Sequence, residues 1–152
     1  MALAQPPLIQ ILANTKAPYN LSNLTAQISL SALSDKGVQM MNQNVEKLVR
    51  ARAEVITMLD GLRSLGLGSV IGGNNANFVL VPVLKKNGDS RAEFDNERSM
   101  KIYNYLAEVK GVVVRYRGSE FGCGGCLRIT IGTDLENQTM LSMLEEALRI
   151  ID

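Results

Sequence analysis

Histidine and tryptophan are absent from this chain of 152 residues, and it holds only two cysteines, three phenylalanines and four tyrosines. Without imidazole it has no general base of the usual kind near neutral pH, no customary partner for a serine or cysteine nucleophile, and none of the commonest metal ligand. So few aromatic rings exclude a stacking platform for single-stranded nucleic acid. Net charge is missing as well. Sixteen basic residues against 15 acidic ones leave a formal +1, which creates no broad field for nucleic acid or an anionic membrane surface. Any recognition of an anion is therefore local. No apolar run approaches the length that spans a bilayer, no charged-then-apolar leader opens the chain, and cysteine is sparse, so a cytoplasmic protein is expected. With 46% hydrophobic residues, the chain can close one core, and a single domain over 1–152 is the expectation.

Helical and strand periodicities alternate along the chain. Residues 1–21 read as a short helical turn and an extended connector, with Pro18 forcing Ala17 away from helical angles. This abrupt, uncapped apolar start suggests a segment continuing from something upstream. Ser22 suits the cap of a helix reaching about Lys36, with Gly37 ending it. From Val38, apolar residues fall at three- and four-residue steps through Val45, Leu48, Val55, Ile56, Leu59 and Leu62, predicting one long amphipathic helix from about 38 to 65. A sheet-and-helix unit is expected over 69–152. Phe78 to Leu84 is a strand in which Pro82 demands an edge or a bulge, and Lys85 to Phe94 is a polar loop around Asn87-Gly88. Asp95 or Asn96 starts a helix that Gly111 stops. Val112 to Arg115 and Leu127 to Ile131 are further strands, and Thr133 or Asp134 caps a final helix. The order predicts an α+β fold, a short sheet with helices packed on one face and one long helix.

The stretch Gly111 to Thr133, GVVVRYRGSEFGCGGCLRITIGT, concentrates the chemistry. Strict alternation puts Leu127, Ile129 and Ile131 on one strand face and Arg128 on the other. The Arg128 guanidinium is then a solvated or salt-bridged group, or else a fork for a carboxylate or phosphate lining a cleft. Arg115 closes the other strand, and if the strands pair, both arginines point into one space. Arg117 shares that face only if its strand continues; otherwise it is solvated. Cys123-Gly-Gly-Cys126 lacks the further ligands of structural zinc and precedes a strand rather than a helix, so reduced thiols are expected, with a regulatory or adventitious disulfide as the alternative. Gly72-Gly73-Asn74-Asn75 reads as a turn, since no lysine and Ser/Thr pair completes a phosphate loop.

The residues VRYRGSEFGCGGCLRITIGT from Val114 to Thr133, with Lys16-Ala17-Pro18-Tyr19-Asn20 and Ala76-Asn77-Phe78-Val79-Leu80 in the same order, resemble the C-terminal part of histidinol-phosphate aminotransferases of the fungal type. The resemblance implies the small domain of a fold-type I enzyme that depends on pyridoxal phosphate and acts as a homodimer. Such enzymes exchange an amino group between histidinol phosphate and 2-oxoglutarate in histidine biosynthesis, the small-molecule substrates being histidinol phosphate and the glutamate/2-oxoglutarate pair. It also implies that Arg128 grips the substrate carboxylate and that Arg115 helps bind the substrate phosphate. No lysine here matches the family's Schiff-base context. The chain thus corresponds to about the last two-fifths of such an enzyme, with no catalytic, cofactor-binding or metal-binding residue of its own, and is expected to be inactive alone. The competing expectations are a free-standing module that binds an anionic metabolite, and part of a related phosphate-recognising enzyme such as threonine-phosphate decarboxylase.

Overall fold

A computed structural model gives the structure of the chain over residues 3–16, 21–86 and 93–152. The extended connector expected at Ala17-Pro18 and the polar loop expected at Asn87-Gly88 lie outside the described residues. Internal contacts divide the chain into two units, Met1–Gln43 and Asn44–Asp152.

The first unit is helical. Helix α1 (Pro6–Thr15) carries proline in its first turn, where the missing N–H costs no intrahelical bond. Helix α2 (Asn23–Ala32) starts where the sequence places it, with the Ser22 side chain accepting the Thr25 N–H at 3.1 Å. It ends earlier than Gly37, however. The Ser34 hydroxyl accepts the Gly37 N–H at 3.4 Å, so a new helix begins there and Gly37 lies in its first turn rather than past the end of α2. That long helix, α3, runs Asp35–Asp60 instead of about 38–65, and a tight 3₁₀ turn, Arg63–Leu65, replaces its last expected turn. No side chain of α1 or α2 is buried.

The second unit holds the hydrophobic core. A three-stranded antiparallel sheet has the order β1 (Phe78–Pro82), β3 (Cys126–Thr130), β2 (Arg115–Tyr116). Proline at the end of β1 is tolerated because β1 is an outer strand. β2 is shorter than the expected 112–115 strand and starts three residues later. The chain before it leaves helix α4 (Asn96–Asn104) through a wider π-type turn, Tyr105–Val109, in which the Lys110 N–H reaches the Tyr105 carbonyl at 3.2 Å. Val79, Val81, Leu127 and Ile129 form the inner face of the sheet. Against it pack Ile102 and Leu106, Leu144 and Leu148 of helix α5 (Asp134–Ile150), and Val55 and Leu59 of α3. Of the two cap candidates at each start, Asp95 and Thr133 are used. Asp95 accepts the Arg98 N–H at 2.9 Å, and Thr133 and Glu136 form a reciprocal capping box.

Among the described residues one charged side chain, Arg98, lies inside this core. Arg98, only 1% exposed, spends all five of its N–H groups on backbone carbonyls. Nε donates to Ile151 O (3.0 Å), Nη1 to Leu84 O (2.8 Å) and Gly66 O (3.4 Å), and Nη2 to Leu65 O (3.0 Å) and Leu148 O (2.9 Å). Gly66 is required there: a Cβ would stand 2.4 Å from Nη1, and the residue has φ +85°. Burial pushes the Arg98 pKa down, yet the guanidinium stays charged at any ordinary pH. Arg98→Met keeps the aliphatic stem and leaves the carbonyls of Leu65, Leu84, Leu148 and Ile151 without this donor, while Gly66 O keeps the Leu84 N–H at 2.8 Å. We expect it to lower the unfolding free energy of the chain by about 3–5 kcal/mol, the scale for removing one side of a buried charged network, read from the urea midpoint at unchanged slope. A loss below about 1 kcal/mol, the net worth of a single ordinary hydrogen bond, would mean that the network is not a structural tie.

Candidate functional site

The outer face of the sheet carries the two predicted arginines, and the strand register brings them together. Arg115 pairs directly with Arg128 across β2 and β3. Directly opposed residues project from the same side of a sheet, so both guanidinium groups leave by the face opposite Leu127 and Ile129. Arg115 is exposed and Arg128 half-buried. Among the described residues neither has a carboxylate partner. Like charges directly opposite one another disfavour the sheet. An anion between them reverses that sign.

Arg128 is held by more than its strand. It faces Leu80, and Phe78 is one pleat away on β1. The Phe78 ring centroid lies 5.2 Å from the guanidinium carbon, a cation–π contact that fixes the plane of the fork. Its Nε is buried and has no hydrogen-bond partner. A buried N–H of this kind is costly to leave unmade. The entry to β1 is itself pinned: Arg52 of α3 donates from Nη1 to Ala76 O at 2.7 Å, and the Ile131 N–H donates to Asn77 O at 2.9 Å. At the far end of β3, Asn137 closes the strand-to-helix connection by bonding both backbone groups of Gly132.

The remaining candidates are placed elsewhere. Arg117 is committed to Glu120, with Nη1 and Oε1 2.6 Å apart. The Arg115–Arg128 pairing was foreseeable from alternation once the strands were known to be adjacent. Phe78 was read only as a strand residue, and its ring is recognisable only through the β1–β3 register. Arg98 went unread, although it stands four and eight residues before Ile102 and Leu106, on the buried stripe of its helix. Cys123 and Cys126 are free thiols, and burial pushes the Cys126 thiol up to about 11. Among the described residues no group of three or more cysteine, aspartate or glutamate side chains is arranged to hold a metal ion.

Comparison with known proteins fixes the family of this arrangement. The family model for aminotransferase class I and II matches residues 1–144. The chain belongs to that family. It is 42% identical over 137 residues to a histidinol-phosphate aminotransferase of Candida maltosa, covering 90% of this chain and 33% of the relative. The chain therefore spans about a third of the length of that protein. Among solved structures it is similar to histidinol-phosphate aminotransferase from Sinorhizobium meliloti in complex with pyridoxal-5'-phosphate, with TM-score 0.74 and 20% identity, over 97% of this chain and 35% of that one. It is also similar to L-threonine-O-3-phosphate decarboxylase from Porphyromonas gingivalis, with TM-score 0.69 and 20% identity, over 97% and 40% of the two chains. These likenesses establish the aminotransferase fold of the segment, a small sheet with helices.

The residues of this segment do not fit pyridoxal phosphate. Imine chemistry needs a neutral amine, usually a lysine whose pKa is lowered by burial or by a neighbouring cation. Lys85, Lys86, Lys101 and Lys110 are instead each paired with a carboxylate. Their partners hold Lys85, Lys101 and Lys110 above the usual ammonium range, with Glu93, Glu97 and Glu146 as the leading causes. Lys16, Lys36 and Lys47 are exposed.

The arginine pair makes a measurable prediction for the chain itself. Inorganic phosphate should stabilise it against urea beyond chloride of equal ionic strength, by about 1 kcal/mol at roughly five times the dissociation constant. Arg128→Ala should abolish that increment, and Phe78→Ala should reduce it. Equal stabilisation by the two salts would rule out a local anion site.

Proposed function

We propose that this chain is the substrate-binding, C-terminal portion of a histidinol-phosphate transaminase. The parent enzyme exchanges an amino group between histidinol phosphate and 2-oxoglutarate in histidine biosynthesis. The observation that carries the reading is the register that sets Arg115 opposite Arg128 on the open sheet face, with the Arg128 Nε–H buried and unpartnered. The likeness to the Candida maltosa enzyme supports the choice of substrate.

The chemistry suits two guanidinium groups on one wall. One half-reaction offers a phosphate, the other a carboxylate, and planar forks accept both by paired charged hydrogen bonds. Arg128, held flat by Phe78, grips the carboxylate of glutamate. Arg115, exposed at the start of β2, helps bind the phosphate. Pyridoxal phosphate serves the parent enzyme, a cytoplasmic homodimer, through residues outside this chain. The chain alone is inactive.

A chimera tests this reading. When this chain replaces the matching third of the Candida maltosa enzyme, the product should restore growth without histidine to a host lacking its own histidinol-phosphate aminotransferase. Arg128→Ala in the chimera should lower kcat/KM roughly 10- to 100-fold, since charged hydrogen bonds contribute about 1.5 to 3 kcal/mol each. The isolated chain should show no transamination. A soluble chimera that loads pyridoxal phosphate but turns over only threonine phosphate would instead favour the decarboxylase reading. Kinetics unchanged by Arg128→Ala would remove that residue from the site.

A further inference from the structure

The loop between β2 and β3 leaves two thiols unaccounted for by substrate binding. It is a run of three tight turns. The Glu120 N–H donates to Arg117 O at 3.0 Å, Cys123 N–H to Glu120 O at 3.0 Å, and Cys126 N–H to Cys123 O at 2.9 Å. The last turn has a cysteine at each end. A turn closed in this way brings its first and fourth Cα atoms within about 7 Å, and disulfides span Cα separations of about 4.4 to 6.8 Å. Gly125, the third residue of the turn, has φ +65°, the left-handed conformation that a type II turn demands at that position. The loop is not loose. The Gly125 N–H donates to the Asn96 side chain at 2.6 Å, its carbonyl accepts the Val83 N–H at 2.9 Å, and a Cβ on Gly125 would lie 2.5 Å from Val83 O. The turn is therefore pre-formed rather than assembled when the sulfurs meet.

We propose that Cys123 and Cys126 form a reversible intramolecular disulfide, a thiol-modification site at the root of the arginine strand. The two thiols are unequal. Cys123 is half-buried and reachable from solvent, whereas Cys126 is 1% exposed and its sulfur lies 3.6 Å from Gly124 O within the same turn. Burial, with Cys123 beside it, holds the Cys126 thiol protonated near neutral pH. Cys123 is then the entry point. Its thiolate attacks one sulfur of a small disulfide such as oxidised glutathione, forming a mixed disulfide and releasing one glutathione thiolate. Cys126 passes its proton to that thiolate or to water as its sulfur attacks the Cys123 sulfur, and the second glutathione leaves. Two protein thiols are oxidised to one disulfide, and one glutathione disulfide is reduced to two glutathione molecules. The bond closes on the side of the sheet that carries Arg128, since Cys126 is two residues before it on β3.

The test is a titration of the folded chain with mixtures of reduced and oxidised glutathione, followed by alkylation and intact-mass measurement. The expected product is a monomer lighter by two hydrogens, protected from alkylation at both cysteines and restored by dithiothreitol. Cys126→Ser should stop at a stable single glutathione adduct on Cys123. Cys123→Ser should leave Cys126 unmodified at neutral pH in the native chain, yet reactive in urea. Alkylation of both cysteines at every glutathione ratio would overturn the proposal, as would oxidation that yields only mixed adducts or cross-linked dimers. Native Cys123→Ser reacting as fast as Cys126→Ser would overturn the assigned order of attack.

Discussion

A single guanidinium closes the second unit. Arg98 reaches from α4 to the last turn and end of α5, to the 3₁₀ turn after α3, and to Leu84 two residues past β1, with only main-chain oxygens as acceptors. Carbonyls at helix ends have no intrahelical partner and carry the negative end of the helix dipole. A buried cation shared among such ends satisfies several orphan acceptors at once, and those acceptors offset the desolvation of the charge. The arrangement also explains local choices that look arbitrary along the chain. Gly66 must lack a side chain, and the chain must continue past α5 far enough to present Ile151.

The arginine face inherits its precision from that closure. α4 is fixed by Arg98, and through Asn96 it fixes the loop at Gly125, just before β3 begins. β3 then sets the register on both sides, to β1 through Val79 and Ile129 and to β2 through Arg115 and Arg128. The two guanidinium groups proposed to meet an anion thus occupy the outer face of a sheet whose inner face is packed core. Their mutual repulsion is tolerated because β2 is short and Arg115 is solvated. It becomes useful when a phosphate or carboxylate occupies the space between them.

Much of this could be read from the residues. Alternation alone put Leu127, Ile129 and Ile131 inside and Arg128 outside, since strand period is local geometry. The cap at Ser22 and the final helix were equally legible, because capping is also local. What escaped depended on contacts distant in sequence. Gly37 resembled a helix end, but the deciding group was Ser34, which starts a new helix. The Val112 N–H donates back to Leu106 O at 2.8 Å and β2 pairs with β3 only from Arg115, a late start that the valine-rich run Val112 to Val114 could not reveal. Arg98 lay in view on an apolar stripe, yet its acceptors come from residues up to 53 positions away. Phe78 was only the first apolar residue of a strand until pairing of β1 with β3 set its ring beside Arg128. In the same way, the CxxC motif resembles neither a zinc site nor a thioredoxin centre; its interest lies in the turn that joins its ends.

Under the proposed reading, Arg115 and Arg128 face one space across the β2–β3 pair, so an anion held there by one guanidinium lowers the repulsion between both. A double-mutant cycle in unfolding free energy addresses it directly, comparing the parent chain, Arg115→Ala, Arg128→Ala and the double variant in chloride and in saturating phosphate. An unfavourable coupling is expected in chloride, about 0.2–1 kcal/mol as for opposed like charges, changing sign in phosphate. A coupling near zero in both salts, or one that phosphate does not alter, would contradict it.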